Sequence, residues 1–294
     1  MCNQSGLRRR LPALLARVLF GRALPARSIS VGLLGALTAC ASVGVPRQGT
    51  PAPSPISPNR PTFSDGTSLV PTGHVQLETG WTLTRRSAGG VTTERHSAPE
   101  VVVRARVSDT IEARLLWGGM QWSEADGPGG GGHGDGGADV AAGIVVPLCD
   151  QGEVLPALAI EGLSTFGIGS DAFSSGHADP TAKLLWSYGG GRLPDWLAVG
   201  GNLIASSPTE AGDRFTQTAA SVWATVTGPG PDTSWFAEWY VVSEPANNVA
   251  STQSVDFGIV QRVDPRIAID ARAGFGLDDR ADDWFTGVGL SFLF

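Results

Sequence analysis

The residue types best suited to acid–base or metal chemistry are few and dispersed. His74, His96, His133 and His177 are the four histidines of this 294-residue chain, and no two share a ligand spacing. His133 lies in the run Gly130-Gly131-Gly132-His133-Gly134-Asp135. That run offers a weak metal loop, but a flexible loop holding no metal is the stronger reading. His96 and Ser97 are the types of a base and a nucleophile. Adjacent residues on a strand point to opposite faces, so they cannot work as a pair. Asp278, Asp279, Asp282 and Asp283 form an acidic loop with donors for a divalent cation or for bridging lipid headgroups. Solvated loop charge is the expectation there. Gly167 and Gly169 precede no helical pattern, so a phosphate loop is excluded. The sequence specifies no enzyme, no metal and no cofactor.

One covalent modification is indicated. Six arginines and no acid precede Cys40, and the apolar run Ile29–Leu37 leads into Leu37-Thr38-Ala39-Cys40. The run is too short to span a bilayer, which takes about twenty residues. It resembles a processing signal ending in a bacterial lipobox, in which the cysteine is acylated. The reading is therefore a signal over 1–39, lipidation at Cys40, and a Pro/Ser-rich tether without a core over 40–61. Cys149 then stands alone, with neither a disulfide nor a zinc cluster to join. After removal of the signal, fifteen basic residues face 28 acidic ones, a net charge of −13, which argues against nucleic acid as a partner.

The remaining charges fall on a pattern. From 62 to 294 the chain alternates apolar and polar residues in segments separated by turns. One face carries sets such as Val75, Leu77, Trp81; Ile111, Leu115, Trp117; Val255, Phe257, Ile259. The opposite face carries Glu78, Arg104, Arg106, Glu112, Arg114, Asp139, Lys183, Glu238, Asp256, Arg262, Asp270 and Arg272. A dry core could not hold so many charges; an enclosed wet lumen can. In the eighth segment Val222 and Trp223 compete for the apolar face.

Twelve segments emerge, and their connections alternate in length. Joins such as 108–110, 149–153 and 264–266 are short, whereas 123–137, 164–179, 205–213 and 244–250 are longer. Short turns at one rim, longer loops at the other and an even strand number describe an all-β, transmembrane antiparallel barrel with periplasmic termini. The last segment, Trp284 to Phe294, has one large apolar face and one face of Gly287, Gly289 and Ser291. Its aromatic end is the feature by which barrel-assembly machinery would take up such a chain.

Arg60-Pro61, Val70-Pro71, Gly73, Gln76, Glu78, the pair Glu112 and Arg114, the approach Gly134–Asp139 and the Phe-terminated end carry a resemblance. The chain resembles the outer-membrane proteins named for the MetA pathway of phenol degradation, over about 60–294. The resemblance implies a barrel in the bacterial outer membrane that takes up or exports small solutes, aromatic ones included. The lipobox departs from that family's pattern. Two other readings stand beside the channel. One is a non-conducting barrel plugged by side chains or by the Gly-rich loop; the other is a soluble lipid-anchored β-sandwich.

Overall fold

The computed structural model describes residues 55–294, and the expected signal, lipobox and Cys40 lie outside them. Among the described residues the chain forms sixteen strands and no helix long and apolar enough to cross a membrane. They are β1 (Val75–Ala88), β2 (Val91–Ser108), β3 (Ile111–Trp117), β4 (Met120–Asp126), β5 (Gly132–Gly137), β6 (Val140–Cys149), β7 (Ala157–Phe166) and β8 (Pro180–Gly189). There follow β9 (Leu197–Ser206), β10 (Thr209–Glu210), β11 (Asp213–Arg214), β12 (Gln217–Thr227), β13 (Thr233–Val242), β14 (Thr252–Asp264), β15 (Ile267–Gly276) and β16 (Trp284–Leu293).

Twelve of these close into one antiparallel up-and-down barrel, β1-β2-β3-β6-β7-β8-β9-β12-β13-β14-β15-β16, and β16 returns to β1. The seam is continuous from Gln76↔Leu293 to Arg85↔Trp284. Val75 and Phe294 complete it by exchanging backbone hydrogen bonds at the short-turn rim. Closure leaves the barrel no edge, the condition for placing a sheet in lipid. The twelve strands are those expected from the alternation.

Two features were not legible beforehand. The first hairpin overshoots the barrel, because β1 and β2 run on to a turn at Gly89 and Gly90, both at positive φ. Glycine takes up that left-handed backbone without strain, as tight hairpin turns require. Beyond the barrel β2 leaves β3 and pairs with β4, and β4 pairs with β5, so a flap continues the wall on the long-loop side. The Gly-rich stretch lies in this flap rather than in the lumen. A small β10–β11 hairpin stands in the loop after β9.

The polarity of the wall is inverted relative to a water-soluble protein. Leu115, Ile144, Ile160, Phe257, Ile269 and Val288 are exposed on the outside. Glu78, Arg104, Glu112, Arg114, Glu161, Glu238, Asp256 and Asp270 are buried on the inside. Exposed aromatics flank the apolar band at both ends of the strands. Trp122, Phe166, Phe275 and Trp284 stand toward the loops, and Trp196, Trp235 and Phe294 toward the turns. That is the distribution expected of a barrel whose outside meets hydrocarbon and two interfaces. In β12 the competition is resolved by Ser221, which is buried inside and carries Trp223 and Thr225 to the same face.

The lumen is occupied. Residues 55–71 enter at the short-turn rim, where the Ile56 amide donates to the Pro265 carbonyl at 2.9 Å, and loop back to Val70 at the same rim. Ile56 and Val70 pack with Ala268 and Leu293, while Leu69 packs on Val145, Ala159 and Leu185. The end of the expected tether is thus a packed part of the barrel. Its composition misleads because it holds its place by polar contacts rather than by apolar periodicity. Cys149 is disulfide-bonded, which corrects the expectation that it stands alone.

Candidate functional site

A belt of polar side chains circles the lumen at mid-height, and each comes from an inward position fixed by strand register. On one arc the charges alternate. Glu78 of β1 accepts from Arg104 Nη1 of β2 at 3.2 Å, and Arg104 Nε reaches Glu112 of β3 at 2.9 Å. Arg114, two residues on, donates back to Glu112 at 2.8 Å and across to Glu161 of β7 at 3.0 Å. Lys183 of β8 reaches Glu161 at 3.0 Å. Strand β6 contributes only Gly143 at this level, opposite Arg114, so the guanidinium passes over it to β7.

The other arc has more acid than base. Asn202 of β9 and Ser221 of β12 lead to Glu238 of β13, which lies directly across from Asp256 of β14. Asp270 and Arg272 follow on β15. Both oxygens of Asp256 and of Asp270 are buried without a hydrogen-bond partner. Opposed like charges on neighbouring strands are unfavourable, so this arc is held by something other than its own pairing.

What holds it is the luminal segment, whose backbone donates to Glu238 on this arc and to Glu78 and Glu112 on the other, while Asp256 and Asp270 receive none of these bonds. The Asn59 and Arg60 amides each donate to Glu78 Oε2 at 3.0 Å. Phe63 and Ser64 amides donate to Glu238 at 2.6 and 3.0 Å, and Ser64 Oγ donates to the same carboxylate. The Val70 amide donates to Glu112 at 2.7 Å, and the Asp65 amide to Asn202 at 2.8 Å. In return Arg104 donates to the Ser57 and Ser68 carbonyls, and Arg272 to that of Pro61. Hydrogen bonds to ionised acceptors are about twice as strong as neutral ones. Phe63 stacks on Tyr240 of β13 with centroids 4.2 Å apart.

Asp65 is the segment's own acid in the belt, bonded to Lys183 and lying 3.1 Å from Arg114. Burial pushes its carboxyl up, but the Lys183 and Arg114 cations outweigh that and hold it well below the usual carboxylate range.

Of the twelve charges expected to face inward, Glu78, Arg104, Glu112, Arg114, Lys183, Glu238, Asp256, Asp270 and Arg272 lie in the belt. Arg106, Asp139 and Arg262 share their face but sit at the rims. Arg106 donates to the Ser108 and Asp109 carbonyls of a short turn. Asp139 accepts from Gly169 and Ser175 of a long loop, and Arg262 pairs with Asp232. The belt also holds Gln76, Glu100 and Asn202, which alternation places on the same inward face, and three residues missed from sequence, Glu161 on the wall with Arg60 and Asp65 on the segment. Glu161 lay in an expected strand, and its inward position follows from its standing next to the outward-facing Ile160.

The other candidates have local uses. His96 accepts from Trp81 Nε1 at 3.3 Å while Ser97 donates to Glu100, so the two diverge as expected. Asp278 accepts amides of Gln253, Arg280 and Ala281 and thereby shapes its own loop. His133 is exposed on β5.

A cavity of about 350 Å³ remains between the segment and the β8–β14 wall. Trp223, Phe236, Tyr188 and Thr225 line it, with Arg262 and Asp232 at its mouth on the short-turn side. The Trp223 and Phe236 rings fit because Gly200 and Gly258 leave the wall bare beneath them.

Residues 58–294 match the family described as "Putative MetA-pathway of phenol degradation". Among solved structures, an outer-membrane channel from Pseudomonas putida F1 is similar at TM-score 0.57 and 12% identity, covering 81% of this chain and 100% of that one. The NanC porin is similar at TM-score 0.45 and 13% identity, covering 74% of this chain and 98% of its own. No curated protein matches the sequence.

Proposed function

The chain belongs to the family of the MetA pathway of phenol degradation, and from that premise we propose that it is a channel for small solutes, aromatic ones included, closed in this state by residues 55–71. Its place is the bacterial outer membrane, where the exposed apolar band meets lipid. The observation that carries the reading is the belt itself. Charges and rings line an enclosed space, and what fills that space is a loop entering and leaving by one rim. Such a loop can withdraw without unthreading the barrel. The cavity beside Trp223 and Phe236 supports passage of ring compounds, since about 150 Å³ already accommodates benzene. Solutes would be filtered by the transverse field between the balanced arc and the acidic arc. Barrel-assembly machinery would recognise β16 with its terminal Phe294.

Replacing residues 59–66 by a short Gly/Ser linker tests the closure. Planar-bilayer conductance and solute uptake by liposomes should both rise far above those of the parent. Silence of both proteins in both assays would leave the rival reading, a non-conducting structural barrel, which the dense hydrogen bonding of the segment favours.

A further inference from the structure

Arg60 lies where two strands have no side chains. Gly80 of β1 and Gly289 of β16 face each other across the closing seam. A Cβ on Gly289 would stand 2.6 Å from Arg60 Nε, and one on Gly80 would overlap the guanidinium. The neighbours of this glycine pair at the same level are Glu100 of β2, opposite Gly80, and Asp270 of β15, opposite Gly289. Arg60 Nη1 is bonded to Glu100, and Nη2 donates to the Val288 carbonyl at 3.3 Å. Nε approaches Asp270 Oδ2 only to 3.8 Å, and Nε and both Asp270 oxygens are without a hydrogen-bond partner. Glu100 is held in place by Ser97 Oγ at 2.6 Å.

We propose that Glu100, Gly80, Gly289 and Asp270 form a guanidinium-binding socket, occupied in this state by the chain's own Arg60 as the latch on the luminal segment. The slot is flat and glycine-floored, with a carboxylate at either end, and so it suits a planar cation with donors along its edges better than a compact ammonium. The tethered Arg60 leaves Asp270 unsatisfied. A free guanidinium compound is not bound to that geometry and can compete for the socket. Its entry releases residue 60 and loosens the segment, so solutes bearing a guanidinium group act as openers. This rests on the closed-channel reading for its consequence but not for the site.

The site is tested on the full chain in detergent. The Arg60→Ala protein should unfold at a lower temperature than the parent. Methylguanidinium, at roughly tenfold excess over its dissociation constant, should restore about 3–6 °C. Methylammonium at equal ionic strength should restore nothing, and Asp270→Asn added to Arg60→Ala should abolish the rescue. Equal effects of the two cations, or none, overturn the socket whether or not the barrel conducts. The latch is tested in bilayers, where Arg60→Ala should raise the open fraction about tenfold, equivalent to about 1.4 kcal/mol. Methylguanidinium should open the parent and leave the variant unchanged. If Arg60→Ala gives no heat-modifiable band, Gly289→Ala serves instead. The atoms its Cβ would crowd belong to the Asp270 and Arg60 side chains, so the backbone pairing is spared. It should open the channel and be insensitive to methylguanidinium; parental conductance overturns the latch.

Discussion

Replacing Glu238 by glutamine should free the luminal segment without weakening the barrel. The carboxylate accepts from the Phe63 amide, the Ser64 amide and Ser64 Oγ. Each such bond to a charged acceptor contributes on the order of 1.5–3 kcal/mol. Glutamine keeps one carbonyl oxygen but turns an NH₂ group toward a donor, so the net loss at the segment is about 2–3 kcal/mol. At 1.4 kcal/mol per decade that is a shift of about 30- to 150-fold toward release. The wall responds in the opposite sense. Glu238 faces Asp256 directly across two strands, and Asp256 has no hydrogen-bond partner, only the Arg272 guanidinium at 4.0 Å, to offset the repulsion. Removing one of the two charges relieves it. Amide hydrogen exchange resolved by peptide separates the two effects. Protection of residues 55–71 should fall while that of β13 and β14 holds or rises, with conductance increasing in parallel. Unchanged protection of the segment, or loss spread over the whole barrel, would refute the assignment of Glu238 as a holder of the segment.

Three further outcomes follow. Asp65 has its carboxyl depressed below the usual 3.8, so its hold on Lys183 and Arg114 is complete above that pH and is lost only as pH falls through the lower folded value. Exchange of the segment should therefore not vary through Asp65 between neutral pH and about 4, whereas Asp65→Asn should release it at neutral pH; a rise in exchange near pH 6 that Asp65→Asn abolishes would contradict this. Ile144→Arg, on the exposed face of β6, should cost about 2–4 kcal/mol in bilayers, read as a smaller heat-modifiable fraction on a gel. A Cys40→Ser form should still need detergent, because its outer band is apolar with or without an acyl chain; a monodisperse folded protein in plain buffer would remove the membrane reading.

The wall was legible because each barrel strand makes its own period-2 pattern, and the meander joins neighbours in sequence. Where both faces are polar the pattern fails. Residues 84–99 leave the hydrocarbon depth, so Thr84-Arg85-Arg86 and Thr92-Thr93-Glu94-Arg95 carry no apolar stripe, although they continue β1 and β2. The β4–β5 flap was hidden for a related reason. Its second strand is Gly132-His133-Gly134-Asp135-Gly136-Gly137, which reads as a loop and pairs only through backbone groups. Arg106, Asp139 and Arg262 share the inward face yet lie at the rims, because alternation fixes a face and says nothing of distance from the rim.

The segment was the larger omission, and its cause lies in how it is bound. A core helix or strand declares itself by apolar spacing, whereas residues 57–68 are recognised largely through backbone amides and carbonyls, which every residue has, with Arg60, Phe63, Ser64 and Asp65 adding isolated side-chain contacts. The information about where they bind sits on the wall instead. Glu78, Glu112 and Glu238 point at amides, Arg104 and Arg272 point at carbonyls, and Gly80 and Gly289 leave a bare floor under Arg60. The small face of the last strand illustrates the difference. Alternation alone suggests that Gly287, Gly289 and Ser291 widen a crowded lumen. Yet Gly289 underlies Arg60, and Gly287 lies beside Arg272, whose guanidinium carbon stands 5.3 Å from the centre of the Phe285 ring. Gly289 thus makes room for a cation that ties the segment to the seam, whereas a side chain at Gly287 would first meet the Trp81 carbonyl of the seam itself. Enlarging Gly289 should therefore open the lumen by expelling the segment, the reverse of what a simple narrowing would do.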